Sequence, residues 1–264
     1  THRFYDPMDA AALAALIGPS TRLLWVEAPG SVTMEFPDIG ALAAAARAAG
    51  VPVALDNTWG AGIAFNAFEA GADIVLQALT KYASGGGDVL MGAVTTIDDA
   101  LHRRLADTHM RLGLGVGGDD AGLVLRSLPS IGLRYEAQDR AARELAVWLQ
   151  GRTEVARVLH PALPDSPGHA HWLRHCKAAA GLFSIVIDAR FDRAAADCFV
   201  DALQLFRIGY SWAGPVSLVA PYDVASMRQA PTVSGEVVRF SIGLEAVDDL
   251  RADLAQALDA MGSR

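Results

Sequence analysis

Residues 51–92, VPVALDNTWGAGIAFNAFEAGADIVLQALTKYASGGGDVLMG, contain two apolar segments, each followed at once by polar side chains. We predict strands at Val51–Leu55 and Ile74–Gln77, because continuous apolar runs of this length are typical of neighbouring strands in a buried parallel sheet. Ligands bind at the carboxyl ends of such strands. Asp56 and Lys81 follow those ends and are expected to face one crevice. A structural ion pair at the sheet edge is the alternative to a functional pair.

The chemistry of these side chains favours a catalytic role. Burial beside apolar side chains lowers the pKa of a lysine from about 10.4, because desolvation disfavours the ammonium. A neutral lysine amine attacks carbonyls and forms Schiff bases. Enzymes that use pyridoxal 5'-phosphate (PLP) need such a lysine, a carboxylate at the pyridine nitrogen and a site for the phosphate. Lys81, Asp56 and the hydroxyl of Thr80 offer these three groups.

The segments LDNTW (55–59) and QALTKYASGGGD (77–88) resemble the Cys/Met-metabolism group of fold-type I PLP enzymes. The pattern of that family is DNTW or DNTF, followed by TKYxxGHSD. The resemblance implies that Lys81 binds the cofactor covalently, that Asp56 contacts its pyridinium nitrogen and that Thr80 contacts its phosphate. Gly86-Gly87 replaces the His-Ser pair of the pattern and adds backbone freedom to the loop.

Two further stretches resemble the β-lyase branch of this family. EAPGS (27–31) is similar to the loop E-[ST]-P-x-N-P, and Ser31 occupies the position that contacts the 3′-oxygen of the cofactor. GYSWAGPVSL (209–218) is similar to GYSWGGxESL, which implies that Trp212 lines the substrate channel and that Ser211 helps to fix the substrate carboxylate. Without the resemblance, an aromatic strand end packed into the core explains the second stretch equally well. Pro215-Val216 departs from the motif, which indicates an altered rim of the site.

Arg239 is a charged residue inside a predicted apolar strand, Val237–Gly243. A buried guanidinium is unfavourable unless it meets an anion. In the family, the arginine at this position holds the substrate α-carboxylate with two parallel hydrogen bonds. The resemblance therefore assigns substrate binding to Arg239.

The implied activity is PLP-dependent β-elimination of L-cystathionine to homocysteine, pyruvate and ammonia. Cystathionine γ-lyase or γ-synthase activity and cysteine-S-conjugate β-lyase activity are alternatives, and a non-catalytic PLP-binding partner is a more remote one. Family active sites are shared between subunits, so the resemblance also implies a homodimer or homotetramer. Relatives carry an amino-terminal portion ahead of the matched stretch, with a glycine-rich phosphate loop, a tyrosine stacked on the cofactor and an arginine given to the neighbouring subunit.

The composition excludes several classes of protein. The 264 residues are 52% hydrophobic and 20% charged, which is typical of a globular protein, and the net charge of −8 argues against a nucleic-acid partner. No apolar run reaches the length of a membrane span, and the first residues do not form a signal peptide. The two cysteines, Cys176 and Cys198, are expected to be buried free thiols, so we expect a cytoplasmic enzyme.

The resemblance implies an α/β, PLP-dependent transferase-like fold. We expect a mostly parallel, doubly wound sheet in a large domain (residues 1–126) and a smaller α/β domain (residues 127–264). The βαβ pattern is expected to continue through Ile74 and Val89. Residues 119–150 are predicted to be helical with a kink near Pro129, where the family has LRGLRTL, and Arg134 and Arg140 are expected to be solvated or interfacial. Four histidines near residues 160–175 are interpreted as surface side chains, and no metal site is predicted.

Overall fold

The computed structural model describes residues 1–227 and 233–261, which form two mixed sheets covered by helices. The strands are β1 (Leu24–Glu27), β2 (Val53–Asp56), β3 (Ile74–Ala78), β4 (Gly92–Thr95), β5 (Val155–Leu159), β6 (Leu182–Ile187), β7 (Arg207–Ile208), β8 (Leu218–Tyr222) and β9 (Val237–Ser241). The α-helices are α1 (Ala10–Leu16), α2 (Ile39–Ala48), α3 (Asp99–Leu112), α4 (Gly118–Ser127), α5 (Ile131–Gln150), α6 (His169–His175), α7 (Arg193–Ala202), α8 (Val224–Met227) and α9 (Val247–Met261).

The first sheet has the strand order β1-β2-β3-β4, and its first three strands are parallel. Helix α2 connects β1 to β2 and forms the predicted βαβ unit. Asp38 caps this helix by accepting a hydrogen bond from the Ala41 amide at 3.0 Å. The strands end in register, with Glu27 opposite Asp56. Polar side chains therefore meet at one edge of the sheet.

The expectation that the βαβ pattern continues through Ile74 and Val89 is wrong in two respects. Residues 57–73, between β2 and β3, form turns and no helix. The next strand begins at Gly92 rather than at Val89, and it runs antiparallel to β3. Glycines in the intervening loop allow this reversal, because Gly85 and Gly87 have φ angles of +65° and +75°. An antiparallel neighbour needs no helical crossover.

The predicted interruption of the long helical segment is present. Helix α4 ends at Ser127, a 3₁₀ turn covers Leu128–Ser130 with Pro129 near its start, and α5 then begins at Ile131. Proline removes a backbone donor and disfavours a continuous α-helix, which explains the break. We call the segment Ser127–Arg134 the helix corner.

The second sheet has the order β5-β6-β9-β8-β7 and is antiparallel except for the pair β7–β8. Strands β6 and β9 are buried along their whole length, which places Arg239 in a central strand. One core cluster packs this sheet against α5, α7 and α9. Another extends from α2 and the first sheet to side chains of the carboxyl-terminal half, among them Trp172 and Val237. The two sheets are thus joined by continuous packing.

The histidine-rich segment differs from expectation. His160 is completely buried, and burial together with the positive charge of Arg143 lowers its pKa to about 3. Its Nδ1 accepts a hydrogen bond from the Ala162 amide at 3.2 Å. His160 is therefore a neutral core residue and not a surface side chain. The two cysteines are free and half-buried. Within residues 1–227 and 233–261, every helix is too short or too polar to cross a bilayer.

Candidate active site

The carboxyl ends of β1, β2 and β3 form one wall of a cavity of about 150 Å³. Glu27 and Asp56 end their strands, and Lys81 lies three residues beyond the end of β3. The cavity is lined by Glu27, Pro29, Ser31, Asp56, Thr58, Trp59, Ala78, Lys81 and Trp212. The structure thus brings Trp212 together with Ser31, Asp56 and Lys81, from which it is more than 100 residues away in sequence.

Lys81 is half-buried, and its amine contacts two residues of the second half of the chain. Its Nζ donates a hydrogen bond to Ser211 Oγ at 2.8 Å and lies 5.1 Å from the centroid of the Trp212 ring. Burial lowers the pKa of Lys81, and the positive charge of Arg239 lowers it further. Both effects raise the fraction of neutral amine at a given pH, which suits a nucleophile or a general base.

The backbone around Lys81 forms a compact turn, residues 78–85, which we call the lysine turn. The Lys81 amide donates to the Ala78 carbonyl at 3.1 Å, and the Gly85 amide donates to the Lys81 carbonyl at 2.9 Å. Next to Lys81, the ring of Tyr82 is buried, and its hydroxyl accepts a hydrogen bond from the Gly181 amide at 2.8 Å. Gly181 directly precedes β6, so Tyr82 fixes the lysine turn to the second sheet.

Asp56 is placed by short-range contacts in the DNT sequence. Its Oδ1 accepts a hydrogen bond from the Thr58 amide at 3.0 Å. The hydroxyl of Thr58 in turn accepts one from the Ala78 amide at 2.8 Å, which ties the end of β2 to the end of β3. The spacing between the Asp56 carboxylate and the lysine turn is therefore set by hydrogen bonds as well as by strand pairing.

Thr80 and Ser31 lie at different distances from this cavity. The Thr80 hydroxyl is 3.5 Å from the Met91 carbonyl and 3.4 Å from the Met91 amide, and Thr80 is outside the set of lining residues. Ser31 lines the cavity and also an adjoining one of about 130 Å³. The contacts of Thr80 with the phosphate and of Ser31 with the 3′-oxygen stay predictions.

Arg239 lies behind the cavity wall and is only 4% exposed. It donates hydrogen bonds to the Ser31 carbonyl at 3.0 Å and to the Tyr210 carbonyl at 2.5 Å, and its guanidinium lies 4.9 Å from the centroid of the Tyr222 ring. Burial lowers the pKa of Arg239, while Tyr222 and Glu27 oppose this effect. Among the described residues, these two hydrogen bonds leave further N–H groups of the guanidinium for a carboxylate.

The residues of the cavity fit the ring of PLP. The cofactor needs an amine and an acid for its ring nitrogen, and Lys81 and Asp56 supply both on one wall. Trp59 adds a buried indole N–H with no hydrogen-bond acceptor among the described residues. The phosphate contact is supported less directly, since the Thr80 hydroxyl lies against Met91.

The structure adds Glu27 and Trp59 to the cavity lining and Arg134 to the surroundings of Lys81. Glu27 ends β1 as Asp56 ends β2, so its position at the end of a strand is the signal that points to it. Trp59 ends the DNTW motif, which does not reveal that its indole N–H has no acceptor among the described residues. Arg134 was expected to be solvated or interfacial, yet it is half-buried and donates to the Tyr82 carbonyl at 2.8 Å. Arg134 and Tyr82 are 52 positions apart in sequence, so no local pattern reveals their contact.

Comparison with known proteins identifies the family. The profile of the family described as Cys/Met metabolism PLP-dependent enzyme matches residues 1–259. The chain is 44% identical over 259 residues to cystathionine beta-lyase of Bordetella avium, covering 97% of this chain and 64% of that protein. It is 38% identical over 263 residues to cystathionine beta-lyase of Salmonella typhimurium, covering 97% and 66%. The chain thus spans slightly less than two thirds of the length of these relatives.

The fold is also shared with solved structures. Cystathionine gamma synthase from Xanthomonas oryzae pv. oryzae, crystallised in complex with aminoacrylate and cysteine, superposes with a TM-score of 0.90 at 32% sequence identity. The match covers 98% of this chain and 68% of that one. The expected PLP-dependent, fold-type I α/β architecture is confirmed, with mixed sheets in this chain.

Proposed function

Because the chain belongs to the Cys/Met metabolism PLP-dependent enzyme family, we propose that it is a carbon–sulfur lyase acting on L-cystathionine. The products are homocysteine, pyruvate and ammonia. The observation that carries this proposal is the Lys81 amine, which has a lowered pKa and is held by Ser211 in the cavity that also contains Asp56. The names of the relatives at 44% and 38% identity support the β-lyase reaction.

Lys81 is the proposed catalytic residue. It would hold the cofactor through its amine, and once the substrate amine had displaced it, the freed amine would remove the proton from the substrate Cα, which is general-base work suited to a lysine of lowered pKa. When bound, PLP would supply an electron sink for the negative charge that develops at Cα. The carboxylate of Asp56 would hold a proton at the ring nitrogen. Ser211 keeps the Lys81 amine beside the cavity through its 2.8 Å hydrogen bond.

Substrate binding is assigned to Trp212, which lines the cavity, and to Ser211 and Arg239, which contact the lining residues Lys81 and Ser31. Arg239 offers a buried positive charge for the α-carboxylate, and a bidentate pair would orient the substrate as well as bind it. The rigid placement of its guanidinium by two backbone carbonyls supports this role. The ring centroids of Trp212 and Tyr82 are 5.9 Å apart, and the Trp212 ring forms an apolar wall for the thioether.

γ-Elimination or γ-replacement is the principal alternative, because the Xanthomonas oryzae structure with the same fold carries the name cystathionine gamma synthase. Cysteine-S-conjugate lyase activity and a PLP-binding protein without catalysis remain further alternatives. The assignment of β-lyase activity rests on Ser31 and on Ser211-Trp212. Pro215 and Val216, which depart from the β-lyase motif, are both exposed.

We also propose a homodimer or homotetramer and a division into a large PLP-binding domain (1–126) and a smaller α/β domain (127–264). The proposed boundary falls at the end of α4, next to the helix corner. Exposed apolar side chains on α3, α4 and α5 support self-association, and they include Met110, Leu125 and Leu133. A cytoplasmic location stays a prediction from the composition.

Product analysis tests the reaction. The purified protein is incubated with L-cystathionine and PLP, and the keto acids and thiols are identified by mass spectrometry. We expect pyruvate and homocysteine, both absent with Lys81→Ala and retained with Lys177→Ala, which removes the chain's second lysine. Release of 2-oxobutyrate and cysteine would overturn the β assignment, and turnover by Lys81→Ala equal to that of the wild type would overturn the role of Lys81.

A further inference from the structure

We propose that Arg134 is a positioning residue for Lys81. It is proposed to fix the turn that carries the lysine to the helix corner and so to set where the amine meets Ser211 and Trp212. This inference rests on the proposed function only for the role of Lys81, and it is independent of which bond the enzyme cleaves.

The hydrogen bonds of Arg134 converge on the lysine turn and the helix corner. Its Nη1 donates to the carbonyl of Tyr82, the residue after Lys81, at 2.8 Å. Its Nη2 donates to the Ser127 carbonyl at 3.2 Å and to the Ser127 hydroxyl at 3.3 Å, and its Nε donates to the Ser130 hydroxyl at 3.1 Å. All three nitrogens are used, which matches the planar fork of arginine and not the single ammonium of lysine.

A second contact joins the same two segments. The Ser127 hydroxyl donates a hydrogen bond to the Ser84 carbonyl, three residues after Lys81. The Ser84 hydroxyl is directed back to the Thr80 carbonyl at 3.0 Å. The helix corner thus contacts the turn at Tyr82 and at Ser84. The 3₁₀ turn with Pro129 places Ser127 and Ser130 so that one guanidinium reaches both.

Gly85 provides independent evidence that the guanidinium and the turn are matched. A Cβ atom built on Gly85 would lie 2.1 Å from Arg134 Nη1 and 2.4 Å from its Cζ. A side chain at this position would therefore displace the Arg134 guanidinium, and the φ of +65° also favours glycine. Gly87, in the same loop, has a φ of +75°, but a Cβ there would meet nothing within 4 Å.

Arg134 acts on Lys81 through position and not through charge. The charged group that adds to burial in lowering the pKa of Lys81 is Arg239. Within the described residues, no carboxylate lies at ion-pair distance from Arg134, and its hydrogen bonds go to carbonyl and hydroxyl oxygens. Its four hydrogen bonds thus hold the backbone of the lysine turn to the helix corner.

The test compares Arg134→Lys and Gly85→Ala with two matched controls. Arg140→Lys alters an exposed arginine of the same helix. Gly87→Ala introduces a Cβ at a positive φ in the same loop without touching Arg134. The first readout is chemical labelling of Lys81 by an amine reagent in the cofactor-free protein as a function of pH, with Lys177 as the internal reference. The second is kcat and KM for cystathionine, and the third is the thermal midpoint.

We expect the labelling midpoint of Lys81 to rise in Arg134→Lys and in Gly85→Ala, because a displaced amine is more solvated. The labelling of Lys177 should not change. We expect kcat to fall about tenfold to a hundredfold with KM nearly constant, the scale of a displacement of ~1 Å at a catalytic group. Both controls should behave as the wild type in the labelling experiment and in kcat.

A lower thermal midpoint in Arg134→Lys with unchanged labelling and kcat would overturn the proposal, since the residue would then be structural only. Equal effects of Gly87→Ala and Gly85→Ala would also overturn it, because backbone strain would explain both. These outcomes are distinct from failure of the proposed reaction. The labelling does not depend on the reaction, and kcat is measured on whichever keto acid the wild type releases.

Discussion

At the scale of single residues, the site depends on how burial changes the pKa of two cationic side chains. Lys81 is half-buried and has its pKa lowered, first by burial and then by the charge of Arg239. Arg239 stays charged in spite of its burial, because a guanidinium loses its proton only at very high pH. The buried positive charge of Arg239 therefore contributes to lowering the pKa of Lys81. The same cation is available for the substrate carboxylate.

Replacing Arg239 by lysine tests that assignment. The substitution keeps the positive charge but loses the planar fork, so we expect the substrate carboxylate to be held loosely. Each charge-assisted hydrogen bond contributes about 1.5–3 kcal/mol, so kcat/KM should fall by roughly ten- to a hundredfold or more. PLP should remain bound, as measured by its visible absorbance.

The control for Arg239→Lys is Arg207→Lys, which changes an exposed arginine at the edge of the same sheet. We expect wild-type kinetics for it. If Arg239→Lys also kept wild-type efficiency, the residue would have no part in substrate binding.

Sequence reasoning was most successful for residues that follow a strand. Asp56 and Lys81 could be placed in one crevice because β2 and β3 are parallel and adjacent. Arg134 and His160 could not be placed, since the contacts of Arg134 join segments about 50 residues apart and the burial of His160 depends on the packing of β5 and β6. An isolated polar residue in a sequence does not reveal which distant element will cover it.

At the scale of elements, apolar runs located β2, β3 and β9 to within two residues, and the break at Pro129 was predicted by the loss of a backbone donor. The direction of β4 was not predictable in the same way. Strand direction depends on the connection, and the glycines between Lys81 and Gly92 permit a reversal that the apolar pattern does not record. Turns also replace the expected helix between β2 and β3, and the apolar pattern of the two strands does not record the form of that connection.

Helix α2 offers a test of an element joined to the rest of the chain by its cap. Asp38 accepts from the Ala41 amide, and its carboxylate also lies 3.2 Å from Arg174 of α6. We expect Asp38→Ala to reduce the free energy of unfolding by about 1–2 kcal/mol, the sum of a lost cap and a partly exposed ion pair. Urea denaturation followed by circular dichroism measures this change.

Asp98→Ala is the matched control, because Asp98 caps the exposed helix α3 through the Leu101 amide at 2.7 Å. Its loss should be smaller, at about 0.5–1 kcal/mol. A loss at Asp98 equal to or greater than that at Asp38 would contradict the view that Asp38 also fastens α6.

At the scale of the whole molecule, the surface of the consecutive helices α3, α4 and α5 carries large exposed apolar side chains. Helix α3 has no buried residue, and Met110 on α3, Leu125 on α4 and Leu133 on α5 are 70%, 70% and 73% exposed. Contiguous exposed apolar side chains mark association surfaces in soluble proteins. The proposed homo-oligomer would cover this surface.

The double substitution Leu125→Glu/Leu133→Glu should weaken association, because two charges would have to be desolvated at the interface. We expect a homodimer or homotetramer for the wild type and a shift toward monomer for the variant, measured by light scattering at micromolar concentration. Leu173→Glu, on the separate helix α6, is the control and should associate as the wild type. A monomeric wild type with PLP bound normally would contradict the proposed assembly.

Lys81 is proposed both to bind the cofactor and to perform the chemistry. Reduction of the PLP-loaded protein with borohydride, followed by proteolysis and mass spectrometry of the lysine-containing peptides, tests this role. We expect loss of the visible absorbance band and a cofactor mass on the peptide that contains Lys81, with neither change in Lys81→Ala. A cofactor mass on the peptide that contains Lys177, or a visible band that survives in Lys81→Ala, would contradict it.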